Sequence, residues 1–149
     1  MKKTKPTNLV RLYHIRDYCE KIVYLIKGFD AEKFEQDERT TLAVTRCIEI
    51  IGESAYKMDK EVKTQYPSIP WVNIEGMRHR IAHEYYDLDM TTLWRVASVF
   101  TLQLIHDITP IITDLENEIA DEWGVYFNAY YNYRSDGLCP QLFNAPETA

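Results

Sequence analysis

Glycine and proline are scarce in this sequence, with five glycines and six prolines in 149 residues. Tight turns between β-strands depend on these two residues, and no regular alternation of short strands with turns is present. Both observations argue against an all-β fold. Hydrophobic residues make up 46% of the chain, which is enough to build a core, and the length suits one compact domain. We therefore expect an all-helical protein.

Cysteine is also rare, and long apolar runs are missing. Cys19, Cys47 and Cys139 are odd in number and far apart, which argues against a disulfide framework or a zinc site. No apolar run approaches the roughly 20 residues that cross a bilayer. The basic N-terminus lacks the apolar core of a signal peptide. These absences predict a cytoplasmic protein.

Basic residues are fewer than acidic ones, with 17 lysines and arginines against 23 aspartates and glutamates. The chain carries a formal net charge of -6 and a sequence pI of about 5.2. The molecule as a whole is therefore not attracted to nucleic acid. An RNA substrate would have to be held by a local basic patch, and binding to a basic partner surface is also compatible with this charge.

The spacing of apolar residues is typical of α-helices over most of the chain. It predicts long helices at about 8–26, 37–58 and 71–86, a fourth beginning near residue 89, and a short one over 60–65. Side chains suited to capping precede several of these segments, namely Thr7 or Asn8, Asp30, and Asp89 or Thr91. Gly28 is suited to end the first helix, and Phe34 anchors the short element after it.

Two residues conflict with simple helices. Gly52 lies within the second long helix, where glycine costs about 1 kcal/mol relative to alanine, so we expect another helix to approach closely there. Pro110 is expected to kink or end the fourth helix, although the apolar period continues to Ile119. The apolar face predicted for the second long helix comprises Leu42, Val44, Cys47, Ile48, Ile50, Ile51 and Ala55.

The chain changes character from about Asp121. This last segment is rich in aromatic residues, and its aromatic density argues against simple disorder. We expect residues 1–120 to form the helical bundle. We expect residues 121–149 to form an appendage, not an independent domain, that packs on the bundle, on a second subunit or on a partner.

The segment Met77–Tyr86 concentrates side chains that are capable of chemistry: two arginines, two histidines and two tyrosines. The arginine guanidinium binds phosphate through a planar fork that stays charged. Histidine moves protons near neutral pH, and tyrosine brings a hydroxyl that can be modified. The combination favours chemistry on a phosphodiester or a nucleotide.

The same residues also fit a purely structural interpretation, in which the arginines are solvated and the other side chains only pack. Spacing constrains the catalytic interpretation as well. Arg78 and His83 are five residues apart, about 140° around a regular helix, so one straight helix does not aim both at one atom. Either the helix ends near His83, or a second subunit completes the site across a two-fold axis.

A metal site is a third interpretation. Glu75, His79 and His83 recur at four-residue steps and share a helix face, and two histidines with a carboxylate can bind a transition metal. However, three successive turns fit a single metal poorly, and no second carboxylate–histidine pair is evident on another helix. We therefore expect no metal and no other cofactor.

The motif resembles that of a known family. Arg78, His83 and Tyr85 match the Arg-x4-His-x-Tyr signature of HepT-like toxins, a prokaryotic branch of the HEPN superfamily. Ile50–Ala55 is similar to the family's Ile-Gly-Glu-Ala segment, and Ile69–Arg78 to its Pro-Trp and Gly-Met-Arg approach to the motif. These matches occur in the expected order between about residues 8 and 115.

The resemblance implies an all-α fold, a four-to-five-helix antiparallel bundle that forms a two-fold dimer. Three features depart from the family pattern, of which the replacement of an alanine by Ser54 is minor. His79 occupies a position where the HepT branch usually has asparagine, although the wider superfamily accepts histidine there. The aromatic segment after about Asp121 is not part of the pattern.

The implied activity is that of a metal-independent endoribonuclease, the toxin of a prokaryotic toxin–antitoxin system. Arg78 and His83 would catalyse attack of a ribose 2'-hydroxyl on the adjacent phosphate. Glu53 is either a solvated carboxylate or a partner that orients Arg78 or Arg80. The expected supporting residues are His79 and Glu53, and the residues expected to contact RNA are Arg80 and Arg46.

The resemblance also implies a partner, a minimal nucleotidyltransferase antitoxin of the MntA type. Such an enzyme would transfer AMP to the motif tyrosine, here Tyr85. The added bulk and phosphate charge two residues from His83 would repel substrate. An alternative of another class is a non-catalytic helical module that docks to a nucleotidyltransferase and binds nucleotide or nucleic acid without cutting it.

Overall fold

The computed structural model describes residues 7–83 and 89–123, with backbone only for 82, 83 and 119–123, and all regular structure in these stretches is helical. Its elements are α1 (Asn8–Leu25), α2 (Ala31–Gln36), α3 (Glu38–Tyr56), α4 (Lys60–Gln65), α5 (Trp71–His83), α6 (Met90–Arg95), a π-helical segment (Val96–Phe100) and α7 (Thr101–Trp123). The architecture is the expected all-α bundle, with α1, α3, α5 and the continuous stretch from α6 to α7 as its long members.

Short-range chemistry sets the helix ends at the predicted places. Thr7 Oγ1 accepts a hydrogen bond from a backbone N–H of the first turn of α1 at 3.3 Å. Asp30, Asp37 and Asp89 cap α2, α3 and α6 in the same way, with shortest distances of 2.8, 3.0 and 3.1 Å. Gly28 follows α1 with a φ of 77°, a left-handed conformation that glycine adopts without steric strain. The predicted caps and this stop are confirmed.

The centre of the bundle is α3, which packs against both α1 and α5. Its buried residues lie mostly three or four positions apart and form one stripe, comprising Thr41, Val44, Cys47, Ile48, Ile51, Gly52, Ser54 and Ala55. The facing residues of α1 include Leu12, Ile15, Cys19 and Ile22, each 0% exposed. Full burial of an aliphatic side chain contributes roughly 1.5–3 kcal/mol, so this contact is a main source of the bundle's stability.

Two residues predicted for this stripe, Leu42 and Ile50, lie outside it, and Ile50 is only partly buried. Leu42 is 63% exposed, so its assignment to the apolar face is wrong. Thr41 takes the buried position instead, because its hydroxyl donates a hydrogen bond to the carbonyl of Glu38 at 2.9 Å and is satisfied there. Adjacent residues of a helix are about 100° apart, which turns Leu42 towards solvent.

The start of α5 is fixed by a proline and a tryptophan. The carbonyl of Pro70 accepts a hydrogen bond from the backbone N–H of Ile74 at 3.1 Å, and a proline at this position removes no intrahelical bond. Trp71 is only 6% exposed, and its Nε1–H donates to the carbonyl of Tyr66 at 3.0 Å. These contacts tie the beginning of α5 to the connection that precedes it. The predicted extension of this helix to residue 86 enters 84–88, outside the described residues.

The close approach inferred at Gly52 is confirmed. A β-carbon added to Gly52 would lie 3.1 Å from the carbonyl oxygen of Ile74 on α5. It would lie even closer to the β-carbon of Arg78, well inside van der Waals contact. The absence of a side chain at position 52 therefore allows α5 to bring Arg78 against α3.

The last helical stretch does not end at Pro110, so that part of the prediction is wrong. The helix α7 continues through Pro110 as far as Trp123. A proline within a helix removes one backbone hydrogen bond and clashes with the preceding turn. Ile108, Ile111 and Ile112, at 0%, 3% and 2% exposure, bury enough apolar surface around the proline to offset that cost.

The π-helical turn was not indicated by the sequence. The hydroxyl of Thr101, just after the segment, donates a hydrogen bond to the carbonyl of Val96, its first residue, at 2.8 Å. Leu93 in the preceding turn is 0% exposed, and the rings of Phe34 and Trp94 have centroids 5.3 Å apart. The π turn is therefore placed between segments that are anchored in the bundle.

By length and composition alone, the continuous helical stretch Met90–Glu118 could cross a membrane. Its most apolar window has a mean hydropathy of 1.3, and 28% of that window is buried. The sequence prediction concerned uninterrupted apolar runs, and polar residues such as Thr101, Gln103 and Asp107 interrupt this stretch, so the prediction is not contradicted. Part of the exposed apolar surface is contributed by Val99, Phe100 and Leu102.

The chain divides by its internal contacts into two units, Met1–Thr113 and Asp114–Ala149. The first contains α1 to α6 and most of the apolar core. The described part of the second is the C-terminal portion of α7. The aromatic segment after residue 123 lies outside the described residues, so its proposed packing and the predicted boundary at 120 stay predictions.

Candidate functional site

The arginine- and histidine-rich motif lies at the C-terminal half of α5. Arg78 is partly buried, whereas His79 and Arg80 are exposed. The backbone of His83 forms the last described residue of the helix. The side chain of His83 and the whole of Tyr85 lie outside the described residues. The geometry of the site is therefore built from Arg78 and the helices that pack around it.

Arg78 is held by three features of α3. Its Nε donates to Glu53 Oε2 at 2.5 Å, and its guanidinium lies 5.1 Å from the centroid of the Tyr56 ring. Gly52 adjoins its β-carbon. The contact with Glu53 uses Nε, and within the described residues no hydrogen bond occupies the two terminal nitrogens, so their donors can serve a ligand. The sequence left open whether Glu53 is solvated or binds Arg78 or Arg80, and in the structure it binds Arg78.

A second cation also binds Glu53. Lys57 Nζ lies 2.7 Å from Glu53 Oε1, so the carboxylate links Lys57 and Arg78. The hydrogen bond from Lys57, and after it the positive charge of Arg78, lower the pKa of Glu53 despite its partial removal from water. The carboxylate therefore remains ionised well into the acidic range and keeps its hold on the guanidinium.

Arg78 opens onto a cleft of roughly 550 Å³ between α1, α3 and α5. The cationic residues that line it are Arg11, Arg46, Lys57 and Arg78, joined by His14, and its two carboxylates are Glu49 and Glu53. Among the described residues that line the cleft, four cationic side chains thus face two carboxylates. This excess is the local basic patch that an acidic protein needs in order to bind an anion such as a phosphodiester.

The cleft brings together some of the predicted site residues and not others. Arg46, Glu53 and Arg78 all line it, and Arg46 Nη1 binds Glu49 Oε2 at 2.9 Å. His79 and Arg80 are not among the described residues that line this cleft. Their supporting and RNA-contacting roles stay predictions.

Sequence reasoning missed Arg11, His14 and Lys57. Lys57 could have been found, because residues 46, 53 and 57 recur at spacings of seven and four and so share a face of α3. Arg11 and His14 are one turn apart on α1 in the same way. No sequence signal showed that these two faces border a common cleft, since this depends on how α1 packs on α3.

The metal-site interpretation includes His83, whose side chain lies outside the described residues, so only Glu75 and His79 of the proposed ligands can be placed. Glu75 Oε1 binds Lys63 Nζ of α4 at 2.6 Å, so an ion pair already occupies this carboxylate. Within 7–83 and 89–123, no group of three histidine, cysteine or acidic side chains is placed to hold a metal ion.

A second cleft, of roughly 270 Å³, is apolar. It lies where α5 and the π-helical segment border the core, and the side chains lining it include Ile51, Ile74, Met77, Phe100 and Leu104. Next to it, Val99, Phe100 and Leu102 are 55%, 50% and 53% exposed. Apolar surface of this kind is typical of the centre of a protein–protein interface.

Comparisons with a family profile and with individual proteins all relate this chain to proteins named as ribonucleases. The sequence profile of the family described as "Ribonuclease HepT-like" matches residues 15–119. "Putative RNase MJ0125" of Methanocaldococcus jannaschii is 35% identical over 107 residues, which cover 72% of this chain and 92% of that protein. "Putative RNase MJ1216" of the same organism is 33% identical over 107 residues, covering 72% and 88%. "Probable ribonuclease HepT" of Thermococcus cleftensis is 36% identical over 87 residues, covering 54% and 79%. No solved structure matches the chain.

Proposed function

Because the chain belongs to the HepT-like ribonuclease family, we propose that it is a ribonuclease whose active site is the basic cleft around Arg78. The observation that carries the proposal is that Arg78 is held in place. Gly52 allows its β-carbon to pack against α3, and Glu53 binds its Nε. The fork opens onto a cleft with an excess of positive charge. In a chain of net charge -6, such a patch supports binding of an RNA phosphate.

The proposed reaction uses the ribose 2'-hydroxyl as nucleophile. Its oxygen forms a bond to the adjacent phosphorus, the bond to the 5'-oxygen breaks, and a cyclic 2',3'-phosphate and a 5'-hydroxyl result. His83 removes the proton of the 2'-hydroxyl, a role worth about 10²- to 10⁴-fold in rate, and the imidazolium that forms delivers a proton to the leaving 5'-oxygen. Arg78 stabilises the charge that develops on the phosphoryl oxygens. No metal is needed, and DNA is not cut because it lacks the nucleophile.

The active form is proposed to be a homodimer. On one straight helix Arg78 and His83 are about 140° apart, and a second copy across a two-fold axis would bring an arginine and a histidine to one phosphate. The exposed apolar residues Val99, Phe100 and Leu102 and the apolar cleft beside them supply a surface suited to association. A two-fold arrangement would use this surface twice.

Its biological role is proposed to be that of a toxin in a prokaryotic toxin–antitoxin system, located in the cytoplasm. Its partner would be an MntA-type nucleotidyltransferase that attaches AMP to Tyr85. An AMP group two residues from His83 would add bulk and negative charge beside the catalytic histidine in the sequence and repel the substrate phosphate. Intact-mass measurement after co-expression with such an enzyme tests this, with Tyr85→Phe expected to abolish the added AMP unit and Tyr86→Phe expected to retain it.

Cleavage of labelled RNA by the purified chain in the presence of EDTA tests the catalytic proposal. Arg78→Ala and His83→Ala should each abolish cleavage. Arg39→Ala is the matched control, because Arg39 is an exposed arginine of α3 that does not line the cleft. Binding of RNA by the wild type without cleavage would support the non-catalytic module instead. Cleavage that requires added metal would contradict the proposed chemistry.

A further inference from the structure

The cleft extends beyond Arg78 along α1 and α3, and this extension contains basic side chains that the motif does not supply. Resting on the proposed ribonuclease function, we propose that Arg11, His14 and Lys57 form a phosphate-binding subsite. It would hold the RNA backbone next to the phosphodiester at Arg78. The ligand is a single RNA strand, and His14 and Lys57 are its exposed contacts.

The arrangement of the two helices supports a continuous path for a backbone. Arg11 and His14 lie one turn apart on α1, and Lys57 lies on the α3 face that also carries Glu53. Because α1 packs along α3, the two faces border one cleft that leads to Arg78. A strand anchored at Arg78 would thus meet further cations on the α1 side.

Arg11 provides an independent indication of an anionic ligand. Its residue exposure is only 9%, and its buried Nε has no hydrogen-bond partner among the described residues. Nη1 donates to Asn8 Oδ1 at 3.2 Å and lies 3.9 Å from Asp59 Oδ1. A buried N–H of a guanidinium that lacks an acceptor is costly. A phosphate oxygen in the cleft that Arg11 lines would supply one once the side chain reorients.

The charge balance of the cleft supports the same ligand. The two carboxylates that line it are already bound, Glu49 by Arg46 and Glu53 by Lys57 and Arg78. The lining therefore retains net positive charge. Lys57 is reachable, because 59% of its side chain is exposed.

His14 is suited to contact substrate directly. It is exposed at the cleft, and within 7–83 and 89–123 it makes no hydrogen bond that would have to break first. Either ring nitrogen can donate to a phosphate oxygen when protonated. Arg11 and His14 also precede residue 15, where the match to the ribonuclease family begins, so the family comparison does not account for them.

The subsite is tested by fluorescence anisotropy with a labelled 2'-O-methyl RNA oligonucleotide, which binds but lacks the nucleophilic hydroxyl. His14→Ala and Lys57→Gln are the test variants because both residues are exposed and their replacement leaves the core intact. His106→Ala and Lys27→Gln are matched controls, an exposed histidine and an exposed lysine away from the cleft. Arg11 is not replaced, since a change at a buried residue can also unfold the chain.

We expect Lys57→Gln to weaken binding about fivefold and to reduce the slope of log affinity against log salt by about 0.7, the loss of one phosphate contact to a single strand. His14→Ala should also weaken binding, and both controls should bind as the wild type does. Lys57 could also affect binding indirectly, because it shares Glu53 with Arg78. Such an indirect effect would disappear in an Arg78→Ala background, whereas a direct contact of Lys57 with RNA should still be detected there.

The outcomes separate this inference from the proposed function. If the wild type cleaves RNA but both test variants bind the oligonucleotide unchanged, the subsite is overturned and the ribonuclease proposal stands. If binding depends on His14 and Lys57 but no RNA is cleaved, the subsite stands and the ribonuclease proposal fails. A third outcome is that AMP binds as tightly as the oligonucleotide and that His14→Ala and Lys57→Gln weaken its binding equally. In that case the cleft recognises a nucleotide, and the RNA subsite is overturned.

Discussion

Gly52 of α3 lies directly against the β-carbon of Arg78 on α5, and a β-carbon at position 52 would overlap it. The next residue, Glu53, binds the Nε of the same arginine at 2.5 Å. Two consecutive residues of one helix therefore determine the position and the direction of a side chain on another. The placement of the proposed catalytic arginine depends on helix packing as much as on its own motif.

Replacement of Gly52 by alanine should lower both stability and activity. Overpacking against Arg78 and the Ile74 carbonyl costs about 1–3 kcal/mol, while the better helix propensity of alanine returns about 1 kcal/mol. We expect a net decrease in the free energy of unfolding, measured with urea, and a larger proportional loss of kcat/KM. Gly76→Ala is the control, because its added β-carbon meets no atom within 4 Å, and it should stabilise the protein.

Replacement of Glu53 by glutamine should weaken the hold on Arg78 without removing the side chain. The guanidinium would lose its charged partner and sample other orientations, and misplacement of a catalytic group can cost up to about 100-fold. We expect kcat/KM for RNA cleavage to fall at least about tenfold. Glu75→Gln, which breaks the ion pair with Lys63 elsewhere on α5, should leave kcat/KM nearly unchanged. Equal losses in the two variants would argue against a positioning role for Glu53.

The ion pairs of Glu53 should also appear in the pH dependence of stability. Lys57 first, and then Arg78, lower the pKa of this carboxyl in the folded protein. A carboxyl with a lowered folded pKa contributes stability above its unfolded pKa of about 4.3 and loses that contribution as pH falls through the folded value. The difference in unfolding free energy between wild type and Glu53→Gln should therefore be steady near neutral pH and shrink in acid. Urea titrations from neutral pH downwards measure it, and growth of the difference in acid would contradict the assignment.

The buried thiols of the core should be unreactive. Burial, and secondarily the nearby charge of Glu20, raise the pKa of Cys19 to about 12, and burial also raises the pKa of Cys47. At pH 8 only about one Cys19 thiol in ten thousand would be a thiolate. Peptide-resolved alkylation with iodoacetamide should leave both residues unmodified in the folded protein and label them in urea. Rapid labelling of Cys19 without denaturant would show that α1 separates from α3.

The exposed apolar surface at the π-helical segment should be needed for dimerisation. Phe100→Ser, at a residue that is 50% exposed, would remove apolar area from the proposed interface with little effect on the core. We expect sedimentation velocity to show a shift from dimer to monomer, together with loss of RNA cleavage. Tyr24→Ser is the control, because Tyr24 is 79% exposed on α1 and lies outside this surface. A monomeric wild type with full activity would exclude the dimer proposal.

The sequence by itself determined the helical fold and most helix ends. Thr7, Asp30 and Asp89 cap helices by hydrogen bonds that span only two or three residues, so short-range chemistry is sufficient to place them. The inference at Gly52 also succeeded, because a glycine that weakens a helix indicates a close neighbour. The Arg78 motif could also be recognised from the sequence, because its residues are close together in the chain.

Only the tertiary structure decided which residues surround Arg78. The sequence allowed Glu53 to be solvated or to bind either of two arginines, and the contact with α5 selects Arg78. His14 had no neighbour in sequence that suggested a role, yet the packing of α1 on α3 places it in the same cleft as Arg78. Leu42 and Pro110 were misjudged for a related reason. Burial around a residue can override its own preference, and burial is set by how whole helices pack, which no local pattern records.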